Sequence, residues 1–203
     1  MFKKSKSWDI VEQEGATDIC KGTGLLDVYL NSLRIILSDD ADDSVLEIAD
    51  RFAHPCSNGY EAKIYVNYPI YREQDVPRQI FGYNLILFDN CYNNQYVKRL
   101  ANCLPIQYDR MGYEYQGVRY DGDYVIMQVV QNPYDRNLSI LVVSTNNQDL
   151  LKQHVLLRKV VIPTYSSGIH RFWNNEALIY DGKQYRFVYE QNAPLTIIES
   201  RSL

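Results

Sequence analysis

Histidine and cysteine are scarce in this chain: three and four among 203 residues. The histidines, His54, His154 and His170, stand far apart. Such a set does not make a metal centre, and no metal is expected. The cysteines, Cys20, Cys56, Cys91 and Cys103, form no CxxC pair, so zinc ligation of the usual spacing is excluded. Basic clustering is also missing. The net charge is -4, and the one basic run is Lys3-Lys4 with Lys6. A nucleic-acid binder would carry a basic face, so none is expected as partner. No apolar run approaches the roughly 20 residues that span a bilayer, so membrane insertion is not expected. The first residues, MFKKSKSWDIVEQE, are basic but lack the apolar segment of a signal peptide. The thiols therefore read as reduced in a cytoplasmic protein, or a secreted one if the chain is part of a longer precursor. GxSxG, GxGxxG and GxxxxGK[ST] do not occur. KGTG at 21–24 lacks the phosphate-loop spacing, so no cofactor is expected.

What the chain has is apolar content and tyrosine. Apolar residues make up 46%, enough for a core. Tyrosine occurs 18 times. It favours strands, and it is also enriched at interfaces.

The stretch 82–104, GYNLILFDNCYNNQYVKRLANCL, reads as strand, loop and helix. Asn84 to Phe88 is a short continuous apolar run, as in a strand buried on both faces. Asp89 to Asn94 is rich in turn formers. Tyr96, Val97, Leu100 and Leu104 recur at helical spacing. If residues 91–103 were all helical, Cys91 and Cys103 would stand about 18 Å apart, too far to bridge.

Upstream, Trp8, Ile10 and Val11 suit an edge strand, with Gly15, Gly22 and Gly24 as turns. Leu33 to Leu37 is a strand. The acidic run 39–43 precedes a helix over about 43–53, where the helix dipole favours negative charge. Tyr60 to Tyr68 alternates as the next strand, parallel to the first by the crossover rule. A short connector, 73–80, follows. Beyond Pro105, 106–108 and 113–120 suggest short antiparallel strands. Asp121-Gly122 signals a hairpin. Tyr124 to Val130 and Leu138 to Val143 are strands, and a helix covers about 147–158. After Val160 to Pro163 and a Ser/Gly turn at 166–168, Ala177 to Tyr180 and Gln184 to Tyr189 pair across Asp181-Gly182. The expectation is an α/β fold, a three-layer Rossmann-like mixed sheet with β-hairpin additions. Residues 1–30 form an N-terminal extension or edge strand, 31–163 the core domain, and 164–203 a hairpin segment packed on it.

NLILFDNCYNNQYVKRLANCLPIQY, followed by GVRYDGDYVIMQVVQNPYDRNLSILVVST, resembles an α/β domain appended C-terminally to bacterial α/β-hydrolase-type peptidases and esterases. The resemblance covers about residues 80–150 and implies a Rossmann-like fold without catalytic residues. Asp89 and Ser144-Thr145 stand where that family has glycine.

Two readings of function remain. In the first, the chain is a non-catalytic interaction or accessory domain. It binds a protein partner or itself through Tyr-rich strands and loops, with Tyr113, Tyr115 and Tyr120 on the interaction surface. In the second, it is a small hydrolase or a carbohydrate- or peptide-binding enzyme. Ligands of open α/β sheets bind beyond the carboxyl ends of parallel strands. The loops there would supply Asp89, Asn90, Tyr92, Asn93, Asn94, Ser144, Thr145, Asn146 and Asn147. Asp89 is then the acid/base candidate. Their amides and hydroxyls suit a neutral polar ligand. Ser167 with His170, and His54 with Cys56, read as turn and helix-end residues rather than nucleophile pairs.

Overall fold

A computed structural model describes residues 24, 28–29, 32–54, 67–156, 176–188 and 196–199. The 8–11 strand, the 160–163 and 166–168 segments, His170, Cys20 and Cys56 lie outside them.

The first strand, β1 (Leu33–Leu37), runs into helix α1 (Asp43–Ala53). Asp42 caps that helix: its carboxylate accepts from the backbone N–H of Ser44 and Val45 at 2.9 and 3.0 Å. The alternating segment 60–68, expected as the next strand, falls mostly on residues 60–66, which lie outside the described residues. Tyr68 N–H donates to Ala53 O at 3.1 Å, and the next described strand is β2 (Ile70–Arg72). It pairs parallel to β1. Two short 3-10 turns, Glu73–Asp75 and Ile80–Gly82, lead to β3 (Asn84–Asp89), which is buried along its whole length.

Helix α2 (Gln95–Leu100) is shorter than its apolar spacing predicts, because the chain tightens into a 3-10 turn over Ala101–Cys103 before Pro105. Then come β4 (Gln107–Asp109), β5 (Gly112–Tyr115) and β6 (Val118–Asp121), which form a small antiparallel sheet. Its tight turn is Gln116-Gly117, with φ of 51° and 76°. Two positive φ values make the primed turn that matches strand twist. Asp121-Gly122 is therefore not a hairpin turn. It is where the chain leaves the small sheet for β7 (Val125–Gln131) in the large one. The remainder is β8 (Ser139–Thr145), α3 (Gln148–Leu156), β9 (Ala177–Tyr180), β10 (Gln184–Val188) and β11 (Thr196–Glu199).

The large sheet has the order β11-β10-β9-β7-β8-β3-β1-β2. β2, β1, β3 and β8 are parallel; β7, β9, β10 and β11 join antiparallel. The C-terminal hairpin thus extends the sheet edge-on through β7–β9 pairing. Alternation along the strands sorts the core into two faces. One face carries Ile35, Ile86, Phe88 and Val143 under α1 and α3. The other carries Ile36, Leu87, Ile126 and Val142 under α2 and the small sheet. Full burial of one such aliphatic side chain stabilises by about 2 kcal/mol, so these two layers hold the fold.

Candidate functional site

The chain order of the parallel strands locates the site. β1 feeds α1 on the first face, whereas its neighbour β3 feeds α2 on the second. Their outgoing loops diverge, and a crevice opens beyond the carboxyl ends. A cleft of about 40 Å³ sits there. Its lining includes Ser38, Asp40 and Ala41 after β1, Asp89, Asn90 and Asn93 after β3, and Thr145 and Gln148 after β8. The volume admits one or two water-sized groups, far below the roughly 300 Å³ of a drug-sized pocket. It suits the polar end of a ligand lying across the surface.

The β3 loop is rigid for a local reason. Cys91 and Tyr92 both lie in the left-handed region, with φ of 50° and 66°. Each such residue costs on the order of 1–2 kcal/mol. The Asp89 carboxylate offsets this strain. Its oxygens accept from the backbone N–H of Tyr92 (2.7 Å) and Asn94 (2.8 Å) and from the Tyr108 hydroxyl (2.8 Å). Inward-turned amides of this kind can bind anions; here the chain's own carboxylate fills them. Burial holds the Asp89 carboxyl above its usual range, against the pull of these three hydrogen bonds. Asn94, fully buried, accepts from Tyr96 N–H and Val97 N–H and donates to Phe88 O.

The same residue types close the β8 loop. Thr145 Oγ1 lies 2.7 Å from both Tyr124 O and Asn147 O, and accepts from Asn147 N–H. Asn147 accepts from Asp149 N–H and Leu150 N–H, starting α3. Asn146 accepts from Tyr124 N–H and donates to Arg110 O and Gly122 O. It ties the corner together away from the cleft. Ser144 Oγ is buried with no partner in hydrogen-bond geometry. It lies near enough to Tyr108 to favour that hydroxyl's ionised form, but burial dominates and holds Tyr108 far above its usual range.

Of the predicted loop residues, Asp89, Asn90, Asn93 and Thr145 line the cleft. Asn94, Asn147 and Asn146 are caps and ties, Ser144 points to the second face, and Tyr92 stacks on Tyr108 at 4.4 Å. Asp89 is engaged by three internal donors, which leaves it poorly placed as a general base. The β1 loop, whose acidic run predicts a helix cap, also supplies a wall of the cleft. Asn93 Nδ2 donates to Asp40 Oδ2 at 2.9 Å, closing the crevice from β3 to β1. Arg72 holds that loop from β2 by donating to Asp39 O and Ala41 O. Which strand neighbours β1 is the missing information, and no local signal carries it.

The tyrosines of the small sheet lie largely inward. Tyr113 and Tyr115 are buried and Tyr120 is half-buried, so a partner would meet the outer edge of these strands rather than the first two rings. Tyr113 stacks on Tyr120, and its hydroxyl accepts from Arg186 at 2.9 Å. Burial pushes the Tyr113 hydroxyl up to about 12. Tyr108 and Tyr124 pack against the sheet with their hydroxyls paired to Asp89 and Asp109 O. Phenol rings with one polar tip fit this layer, where aliphatic packing meets loop backbone.

The Cys91 thiol contacts the Tyr124 hydroxyl at 3.7 Å, and burial pushes it up, away from a thiolate. His54 caps the far end of α1, 11 helical residues from the cleft, and so is no base for it. Among the described residues no three His, Cys, Asp or Glu side chains gather as metal ligands, and no helix is long and apolar enough to cross a membrane. No protein-family model and no curated protein matches the chain.

Proposed function

We propose that the chain is a non-catalytic accessory domain that binds a donor-rich polar group at the β1/β3/β8 cleft. The observation that carries this reading is the make-up of the lining. Asp40 and Asp89 supply negative charge, Ser38, Asn90, Asn93, Thr145 and Gln148 supply amides and hydroxyls, and no lysine or arginine is present. Such a lining favours an amine, a guanidinium or sugar hydroxyls and disfavours phosphate. The two faces of helix and small-sheet cover support a three-layer, Rossmann-like description, in which a cleft at diverging parallel strands is the expected binding place. The engaged Asp89 and the raised Cys91 thiol favour binding over catalysis.

Titration of the chain with a panel of short oligosaccharides, primary amines and arginine-containing peptides, followed by amide NMR shifts, tests the reading. Shifts should cluster at residues 38–41, 90–93 and 145–148. Asn93→Ala, which removes an exposed amide, should weaken binding about tenfold, the order of one charge-assisted hydrogen bond. Turnover of any panel member, or shifts elsewhere, would overturn it.

A further inference from the structure

The outer edge of the small sheet has a pattern that the cleft does not explain. β5 and β6 pair with Gly112 opposite Asp121, Tyr113 opposite Tyr120 and Tyr115 opposite Val118. Gly122 N–H donates to Met111 O, which fixes the phase of the ladder. In an antiparallel pair, hydrogen-bonded and non-hydrogen-bonded positions alternate. Val118 and Tyr120 therefore bond inward to β5. The backbone N–H and C=O groups of Arg119 and Asp121 face outward, where no described strand pairs with them. Val118, Arg119 and Asp121 are exposed.

We infer that β6 is a self-pairing edge, joining antiparallel to β6 of a second copy of this chain about a twofold axis at Tyr120. Only this register uses all four outward groups of each strand. Arg119 pairs with Asp121 of the partner subunit and Asp121 with Arg119 of the partner subunit, so each residue gives and accepts one backbone bond. The same register sets unlike charges directly opposite on the outer face. Arg119 already holds Asp109 through two nitrogens and Asp121 through Nε. Of its five donors, two remain for the partner's carboxylate. Tyr120 meets its symmetry mate beside the Tyr113 stack. Val118, 52% exposed, faces Gly122 of the partner subunit; at Gly122 an added Cβ would meet nothing within 4 Å. Charges on an edge strand usually repel strangers. Here an arginine and an aspartate two residues apart are self-complementary in one register, which makes the edge selective.

A four-residue strand buries little area, so the dimer belongs to the weak, transient class. Sedimentation equilibrium from about 10 μM to about 1 mM tests it, the range in which such contacts saturate. The average mass should climb from 23.7 kDa toward twice that value. Asp121→Pro removes an outward N–H and leaves the β5 ladder whole, so it should stay monomeric with an unchanged unfolding temperature. Asp121→Arg should also be monomeric, and the swap Arg119→Asp with Asp121→Arg should restore the dimer. If Asp121→Pro melts early, Tyr120→Cys decides. Opposed Cα atoms at about 4.5 Å lie within disulfide reach, so mild oxidation should yield a covalent dimer that the unsubstituted chain does not form. A monomer at every concentration, dimerisation of a folded Asp121→Pro variant, or no cross-link through Cys at 120 would each overturn the assignment.

Discussion

Two strand–loop–helix units of this molecule, β3–α2 and β8–α3, end their loops in the same residues, Asn-Asn-Gln, and build opposite corners. In both, the second asparagine caps the helix by accepting two backbone N–H groups. Yet α2 lies on the face with the small sheet and α3 on the face with α1. The difference sits before the cap. The β3 loop runs five residues, with two left-handed backbones gathered on a buried carboxylate. The β8 loop runs two residues, closed by a threonine hydroxyl. A cap signature therefore fixes where a helix begins, while the loop before it decides which face the helix reaches.

The largest expected contrast is between the two caps. Asn94→Ala removes two acceptor contacts and the bond to Phe88 O from a fully buried position. A cap is worth about 1 kcal/mol, and a buried polar group left unpaired costs about 1–3 more. A loss of about 2–4 kcal/mol in urea unfolding is expected for Asn94→Ala. About 1 kcal/mol is expected for Asn147→Ala, whose cap is half-exposed. Equal losses would show that burial does not separate the two corners.

The second contrast concerns the buried carboxylate. Asp89→Asn keeps the shape and puts an amide N–H where a backbone donor points, for a loss of about 1–3 kcal/mol at neutral pH. Burial raises the Asp89 carboxyl in the folded state, so the folded chain binds its proton more readily than the unfolded one. Stability from this group then rises as pH falls through the window between the raised folded value and the usual carboxylate range. The gap between the unsubstituted chain and Asp89→Asn should accordingly widen as pH falls through that window and level off below it. The lowered carboxyls of Asp42, Asp109 and Asp181 act in the opposite sense and cancel in the difference. A gap that narrows on acidification would reverse the assignment of burial as the dominant cause.

The smallest effect belongs to Ser144, beside Asp89 in the β3–β8 register. Its hydroxyl is buried and unpartnered. Ser144→Ala should be neutral or stabilising by up to about 1 kcal/mol, because it removes a desolvated group that gains no bond. Thermal unfolding reads it directly; a loss above that size would mean that the hydroxyl has an ordered water or a ligand as partner.

Several elements were legible because their causes are local. The continuous apolar run 84–88, the acidic cap before α1 and the hairpin across Asp181-Gly182 depend on residues within a turn or two of one another. The cleft was half legible: the loops after β3 and β8 follow from strand-then-helix patterning, and the loop after β1 does not. The three-residue β2 carries no comparable pattern of its own. A short edge strand is specified by its neighbour β1 rather than by its own sequence. Tyr113, Tyr115 and Tyr120 show the same limit, since tyrosine suits a core layer and an outer surface equally well.

By itself the sequence determined the apolar strands, the helix caps and the absence of basic clustering and catalytic motifs, all of which follow from residue type and short spacing. The tertiary structure decided that β3 lies beside β1, that Tyr108 reaches the Asp89 carboxylate, and that no described strand covers the outer edge of β6. These outcomes depend on which segments distant in the chain pair with one another, set by which apolar faces bury each other, and no periodicity within one segment encodes that.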